Sequence, residues 1–495
     1  MAPPTPSLET VVTIVDKANG EDDSNVADIL SQFADLPSSK QDRVRSLFVT
    51  KMFPLVIGDN ALVQGAGDYE LQRQVPWSTN CWLQPQVIVT STTSEQVAAA
   101  LALCVFFPIK FSIRGGGHLH NPGFNSNNGG VVISLGGFRQ VQLSDDKSTA
   151  DIGLGLRWLD VYQALESHGL AVAGGRMPTV GVPGLILSGG ISFQNSQYGL
   201  GAMGVSNYET SASSTPTPKK NTDLFSALKS GGANFGIITK IEMATIPNQI
   251  WSEARIYPPT AYDQLVDALM QYHEAIETND QATLIWHATS EAILIVYIYC
   301  SPVEHPANMV HPGIRTIFEL AQAMADVVSP EPVLHEFRTM SSRPSPNVYK
   351  AIEQALQEQL AALSDVEGVV LTNVFQPMSS LAMKQSANSP LGLNPVGQQW
   401  FLAMGDWKNA DDESRVRSAV KKIVDVAEST ARAEGTFLEY KYVNYASRDQ
   451  DALENYGVEN VERLRDIAGK YDPFGFFQEL QGGGRWLLSK VGKGC

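Results

Sequence analysis

Cysteine is scarce in this 495-residue chain. There are four, Cys81, Cys104, Cys300 and Cys495, too widely spaced for a disulfide framework or a metal-type pair. No apolar run approaches the ~20 residues of a membrane span. The start, Met1-Ala-Pro-Pro-Thr-Pro, lacks the apolar core of a secretory signal, and there is no Asn-x-Ser/Thr sequon, so the chain reads as intracellular and cytoplasmic. Basic residues are also in short supply, 36 Lys and Arg against 52 Asp and Glu. The net charge of −16 argues against nucleic acid or an anionic membrane surface as a partner. What the chain has is 43% hydrophobic residues, enough for two domain cores, and 41 glycines, many of them gathered into loops.

The most informative of these loops is Ile113-Arg114-Gly115-Gly116-Gly117-His118, directly after the strand-like Phe111 to Ile113. Glycines there let backbone approach a ligand, and their amides can cradle a pyrophosphate. Taken alone a Gly-rich turn is often only a turn, and this one is not the nicotinamide fingerprint, because Asn121-Pro122-Gly123 prevents a helix from starting. The surroundings alternate strand and helix. Pro85 to Thr90 reads as a buried strand, Thr93-Ser94-Glu95-Gln96 has capping-box form, and Val131 to Leu135 is another strand. Trp158, Val161, Tyr162 and Leu165 make one apolar helix face. Further glycine runs follow at Gly174 to Gly184, at Ser188-Gly189-Gly190-Ile191-Ser192 and at Gly231 to Gly236. Several such loops in succession suggest a long ligand contacted along its length.

Together these motifs carry a family resemblance. Arg114-Gly-Gly-Gly-His118, Gly174-Gly-Arg-x-Pro-Thr-Val-Gly181, Ser188-Gly-Gly-Ile-Ser192 and Asp223-Leu-Phe-x-Ala-Leu-x-x-Gly-Gly-Ala-Asn-Phe-Gly236 resemble the berberine-bridge-enzyme-like FAD-linked oxidases of the vanillyl-alcohol-oxidase / p-cresol-methylhydroxylase (PCMH) superfamily. Tyr442-Val-Asn-Tyr445 and the closing Tyr471-Asp-Pro-x-Gly-x-Phe477 extend the resemblance, which spans roughly Tyr69 to the end. It implies an α+β fold: a PCMH-type FAD-binding domain over 46–248, an inserted substrate domain of antiparallel sheet backed by helices over 249–438, and a return to the flavin domain over 439–495. Residues 1–45, rich in Asp, Ser and Pro with a helix pattern around Val26 to Phe33, lie outside it and are expected to form a mobile extension.

By position, the resemblance implies that His118 bonds covalently to the flavin. It assigns Arg114, Gly115, Gly116, Gly117, Leu119, Gly181, Gly184, Ser188, Gly189, Gly190, Ser192, Gly236, Ile237 and Asn444 to the cofactor. Relatives with two covalent links have a cysteine where this chain has Met177, so a single link is expected. A flavin N5 accepts hydride readily only if the adjacent O–H or N–H proton is removed, so a base is needed on the substrate side. Tyr445 is the candidate base and Tyr442 the residue expected to orient substrate. A tyrosine with an ordinary pKa near ~10 needs a cationic or hydrogen-bonding neighbour to act there. If 438–445 form a strand, Lys441 points away from Tyr442, and the cation comes from elsewhere in the fold. The implied activity is oxidation of a small molecule, with a secondary-metabolite intermediate favoured and dioxygen as final acceptor. Carbohydrate oxidation and a catalytically silent flavin- or metabolite-binding protein are the alternatives. One departure stands out: Thr210 to Lys220 is short and carries Pro216 and Pro218, so a hairpin of the flavin sheet is expected to be lost and the segment to be an exposed loop.

Overall fold

The computed structural model describes residues 6–19, 24–211, 216–303, 312–327 and 331–482. The polar start at residues 1–5, residues 212–215 of the shortened segment and Cys495 lie outside the described residues. Val87–Thr90 is a strand whose residues Val87, Ile88 and Val89 are fully buried. The Thr93 side chain then accepts from the Gln96 amide at 3.2 Å, while Gln96 Oε1 accepts from the Thr92 amide at 2.9 Å, and these contacts start the helix Ser94–Phe106. The helix returns the chain to strand Phe111–Arg114, parallel to Val87–Thr90, with Val131–Ser134 between the two. Such a sheet is covered on both faces, which is why its strands are apolar without alternation.

A second sheet is centred on Ile238–Pro247, which pairs with Thr149–Gly153, Leu170–Val172 and Val205–Thr210. Beside it, the helix Trp158–Glu166 buries Trp158, Val161, Tyr162 and Leu165. The third sheet has eight antiparallel strands drawn from Gln249 to Leu438. Its strands alternate, as a sheet with two different faces must. Leu284, Trp286, Leu371, Phe375, Phe401 and Ala403 pack with the helices Tyr262–Ala275, Pro346–Ala362 and Glu413–Ala433 into one core. Ile285, Val374, Gln376, Leu402 and Met404 point the other way, toward the glycine loops.

Three expectations change. Residues 6–57 are not a loose extension but carry the helices Leu8–Asn19, Ser24–Ala34 and Ser38–Ile57. Val11, Val15, Val26, Ile29, Leu30 and Phe33 are buried, and the Phe33 ring lies 4.8 Å from that of Phe107. Each such side chain contributes about 1.5–3 kcal/mol, enough to hold helices too short to persist alone. The Asp- and Ser-rich composition hid this three-and-four spacing. Second, 438–445 is not a strand: pairing ends at Leu438, and Val443–Tyr445 is a single 3-10 turn. Third, the shortened segment keeps a strand as far as Thr210, and the Tyr208 amide donates to the Pro216 carbonyl at 3.2 Å. Pro216 is buried there, and among the described residues of the segment Pro218, Lys219 and Lys220 stand exposed.

Candidate active site

A cleft of about 360 Å³ lies between the glycine loops and the inner face of the eight-stranded sheet. Its floor is made by two loops packed backbone to backbone. A Cβ on Gly116 would lie 2.5 Å from Gly181 Cα, and one on Gly115 would lie 2.2 Å from Pro183 Cγ. These glycines are therefore required by loop-to-loop packing as well as by any ligand. Gly117 has φ +73°, a conformation that favours glycine, and the amides of Gly116, Gly117 and His118 donate to no acceptor among the described residues. Successive free amides of this kind form an anion-binding concavity. A Cβ on Gly184 or Gly236 would meet nothing within 4 Å, so the loops leave open space for a bound group.

His118 sits at the end of this cradle, its Nε2 3.1 Å from the Thr179 hydroxyl and its ring stacked on Trp77 at 4.4 Å. Burial, reinforced by His335 and Arg157, pushes its pKa down to about 3, so the imidazole is neutral and keeps a lone pair for bonding. On its other face Trp77 stacks on His335 at 3.5 Å, and His335 Nδ1 lies 2.6 Å from Asp406 Oδ1.

Across the cleft, Tyr445 and Tyr442 meet edge to face at 4.8 Å but differ in setting. Tyr442 is buried, is stacked on Trp400, and accepts hydrogen bonds from the Ile191 amide at 3.1 Å and Asn444 Nδ2 at 3.0 Å. Burial, then Tyr445, raise its pKa above the usual phenol value. The Tyr445 hydroxyl instead accepts from Arg176 Nη2 at 3.2 Å, and Arg176 Nη1 donates to Gln376 Oε1 at 2.6 Å. Lys441 turns away to Glu428 at 3.5 Å. The cation beside the tyrosine is thus Arg176, from the Gly174-Gly175 loop.

Of the residues singled out from sequence, Gly115, Gly116, Gly117, His118, Leu119, Gly181, Gly184, Ser188, Gly236, Ile237, Tyr442, Asn444 and Tyr445 line the cleft. Arg114, Gly189, Gly190 and Ser192 do not. The Arg114 guanidinium is buried, with Nη2 donating to Gln72 Oε1 at 3.2 Å, and burial lowers its pKa to about 10. The Gly189 and Gly190 carbonyls accept from the Ala202 and Gly201 amides, and Ser192 Oγ accepts from the Gln194 amide at 3.1 Å. These positions shape the loops from behind. Trp77, Arg176, His287, Gln376 and Asp406 also line the cleft without having been assigned a role from sequence, and His335 stacks behind Trp77. The available signal for three of them is a polar residue at the inward position of an otherwise apolar strand: His287, Gln376 and Asp406.

The FAD binding domain family matches residues 85–211, and the berberine and berberine-like family matches residues 441–482. An FAD-dependent monooxygenase of Arthrobotrys oligospora is 34% identical over 436 residues, covering 84% of this chain and 85% of that protein. The chain belongs to the berberine-bridge-enzyme-like FAD-linked oxidases. It is an FAD-dependent oxidoreductase. A bifunctional solanapyrone synthase of Alternaria solani is 29% identical over 422 residues, covering 82% of each chain. Among solved structures, 6-hydroxy-D-nicotine oxidase from Arthrobacter nicotinovorans superposes with a TM-score of 0.73 at 19% identity, covering 87% of this chain and 99% of that one, a likeness of fold. In this family setting, the cleft with its free amides and open glycine faces fits FAD. Among the described residues no helix is long and apolar enough to cross a membrane.

Proposed function

We propose that His118 tethers FAD through a single covalent bond, and that Tyr445, held by Arg176, takes a proton from a small apolar substrate in the cleft. The observation that carries this reading is the 3.2 Å contact between Arg176 Nη2 and the Tyr445 hydroxyl, in a cleft whose floor ends at His118. The guanidinium fixes the position of the phenolic oxygen at the wall of the cleft, where a substrate proton can reach it. Met177 lines the same floor and, as a thioether, offers no second attachment. Bound FAD supplies the hydride acceptor and, in an oxidase, passes the electrons on to dioxygen.

The roof favours a secondary-metabolite intermediate over an oligosaccharide. Ile285, Phe337, Val374, Leu402 and Met404 face the cleft, an apolar wall against which a sugar's hydroxyls would lose their hydration. The solanapyrone synthase among the relatives points in the same direction. Anaerobic stopped-flow bleaching of the flavin by a substrate tests the assignment. Tyr445→Phe should leave the flavin bound and slow its reduction by roughly 10²–10⁴-fold, the usual contribution of a positioned base. Reduction at the wild-type rate would remove Tyr445 from that role.

A further inference from the structure

Two neighbouring side chains in the cleft present only hydrogen-bond donors, and nothing in the described chain answers them. Arg176 is 8% exposed, yet its partners are the neutral Gln376 and Tyr445, and no carboxylate pairs with it among the described residues. A guanidinium cannot accept a hydrogen bond, so Gln376 must turn its carbonyl Oε1 toward Arg176 and its amide nitrogen away. That nitrogen, Nε2, is buried without an acceptor, and Gln376 as a whole is 2% exposed. Of the five guanidinium N–H groups, two are used. Nearby His287 has its pKa pushed down to about 4, by burial and then by Arg176, and so adds no second positive charge. Unmet donors on a cation and an amide form a complement to a group that only accepts and is negatively charged.

We propose that the substrate is an apolar molecule bearing an anionic oxygen, a carboxylate or an ionised phenol or enol, which seats on Arg176 and Gln376 while its body lies against Val374, Leu402 and Met404. The proposal rests on the cleft being the oxidoreductase's substrate site. It places the charged oxygen beside Tyr445, because one guanidinium touches both Tyr445 and Gln376. It excludes cationic amines, which would face Arg176 directly.

The test is calorimetric titration of the flavin-loaded protein, at mildly alkaline pH, with four ligands of similar body: 4-methylbenzoate, 4-nitrophenolate, 4-methylbenzyl alcohol and 4-methylbenzylammonium. At least one of the two anions should bind about 10–100-fold more tightly than the alcohol, the range for a charge-assisted hydrogen bond, and the ammonium should bind most weakly. The tighter anion identifies the oxygen as carboxylate or as phenol and enol. Arg176→Gln should erase the preference while changing the alcohol's affinity by less than about threefold. Arg176→Lys, which keeps the charge without the planar fork, should keep part of it. Flavin absorbance and circular dichroism establish that each variant is folded and loaded. Equal binding of anions and alcohol by the wild type overturns the proposal, as does a preference that survives Arg176→Gln, or an Arg176→Gln effect confined to the flavin's own potential. Each of these leaves the proposed oxidation standing. A loaded protein that prefers anions but whose flavin no substrate reduces would contradict the oxidation instead.

Discussion

Replacing Tyr442 by phenylalanine removes one oxygen and leaves the ring stacked on Trp400. The hydroxyl accepts from two donors, the buried Ile191 amide and Asn444 Nδ2. Leaving a buried donor without a partner costs about 1–3 kcal/mol, and losing the half-buried second bond about 1 kcal/mol more, so the variant should lose roughly 2–4 kcal/mol. For 495 residues unfolding as one unit, an unfolding entropy of about 2.1 cal/mol/K per residue converts this into a fall in Tm of about 2–4 °C. The loss should fall on the Ser188 to Ser192 loop, which Tyr442 ties to the carboxy-terminal segment through Ile191. Thermal melts of wild type, Tyr442→Phe and Tyr445→Phe, paired with anaerobic reduction rates, separate the two tyrosines. Tyr442→Phe should move the melt more than the rate, and Tyr445→Phe the reverse. An unchanged melt for Tyr442→Phe with a reduction rate as low as that of Tyr445→Phe would refute the view that its hydroxyl holds a loop.

His273, buried, and His287, half-buried in the cleft wall, both have pKa values pushed down to about 4 by loss of solvation, helped at His287 by Arg176, against 6.5 in an unfolded chain. The unfolded state therefore takes up protons first. The stability these groups contribute is complete above pH ~6.5 and is lost as pH falls toward ~4, at up to about 2.7 kcal/mol per pH unit for the pair. Urea midpoints measured across that window should fall, and His287→Asn should flatten the fall; flat wild-type midpoints would contradict the burial argument. Trypsin should cut at the exposed Lys219 and Lys220 without releasing flavin, because the strand Val205–Thr210 ends before them. Resistance at that site would mean the turn is covered.

The flavin-side loops were legible in the sequence because each is a contiguous run of unusual residues, such as Arg114 to His118 or Ser188 to Ser192. The helix face of Trp158–Glu166 was legible because its apolar spacing is regular and local. The roof was not. Trp77, Gln376 and Asp406 are far apart in the chain, and only the pairing of Val370–Met378 with Gln398–Trp407 turns Gln376 and Asp406 toward one cleft. Arg176 stood within a quoted motif, but its role depends on meeting Gln376 and Tyr445, 200 and 269 residues away. Arg114 shows the converse. Its place beside the cradle suggested a cofactor contact, but its side chain lies on the face of its strand turned to Gln72.

The central claim is that FAD occupies this cleft through a bond to His118, and acid precipitation of the purified protein tests it most directly. The pellet should stay yellow, and the flavin-modified peptide recovered from it should contain His118. In His118→Ala the colour should pass entirely into the supernatant. If the wild-type flavin leaves with the acid supernatant, or the modified peptide lacks His118, the tether assigned here is wrong.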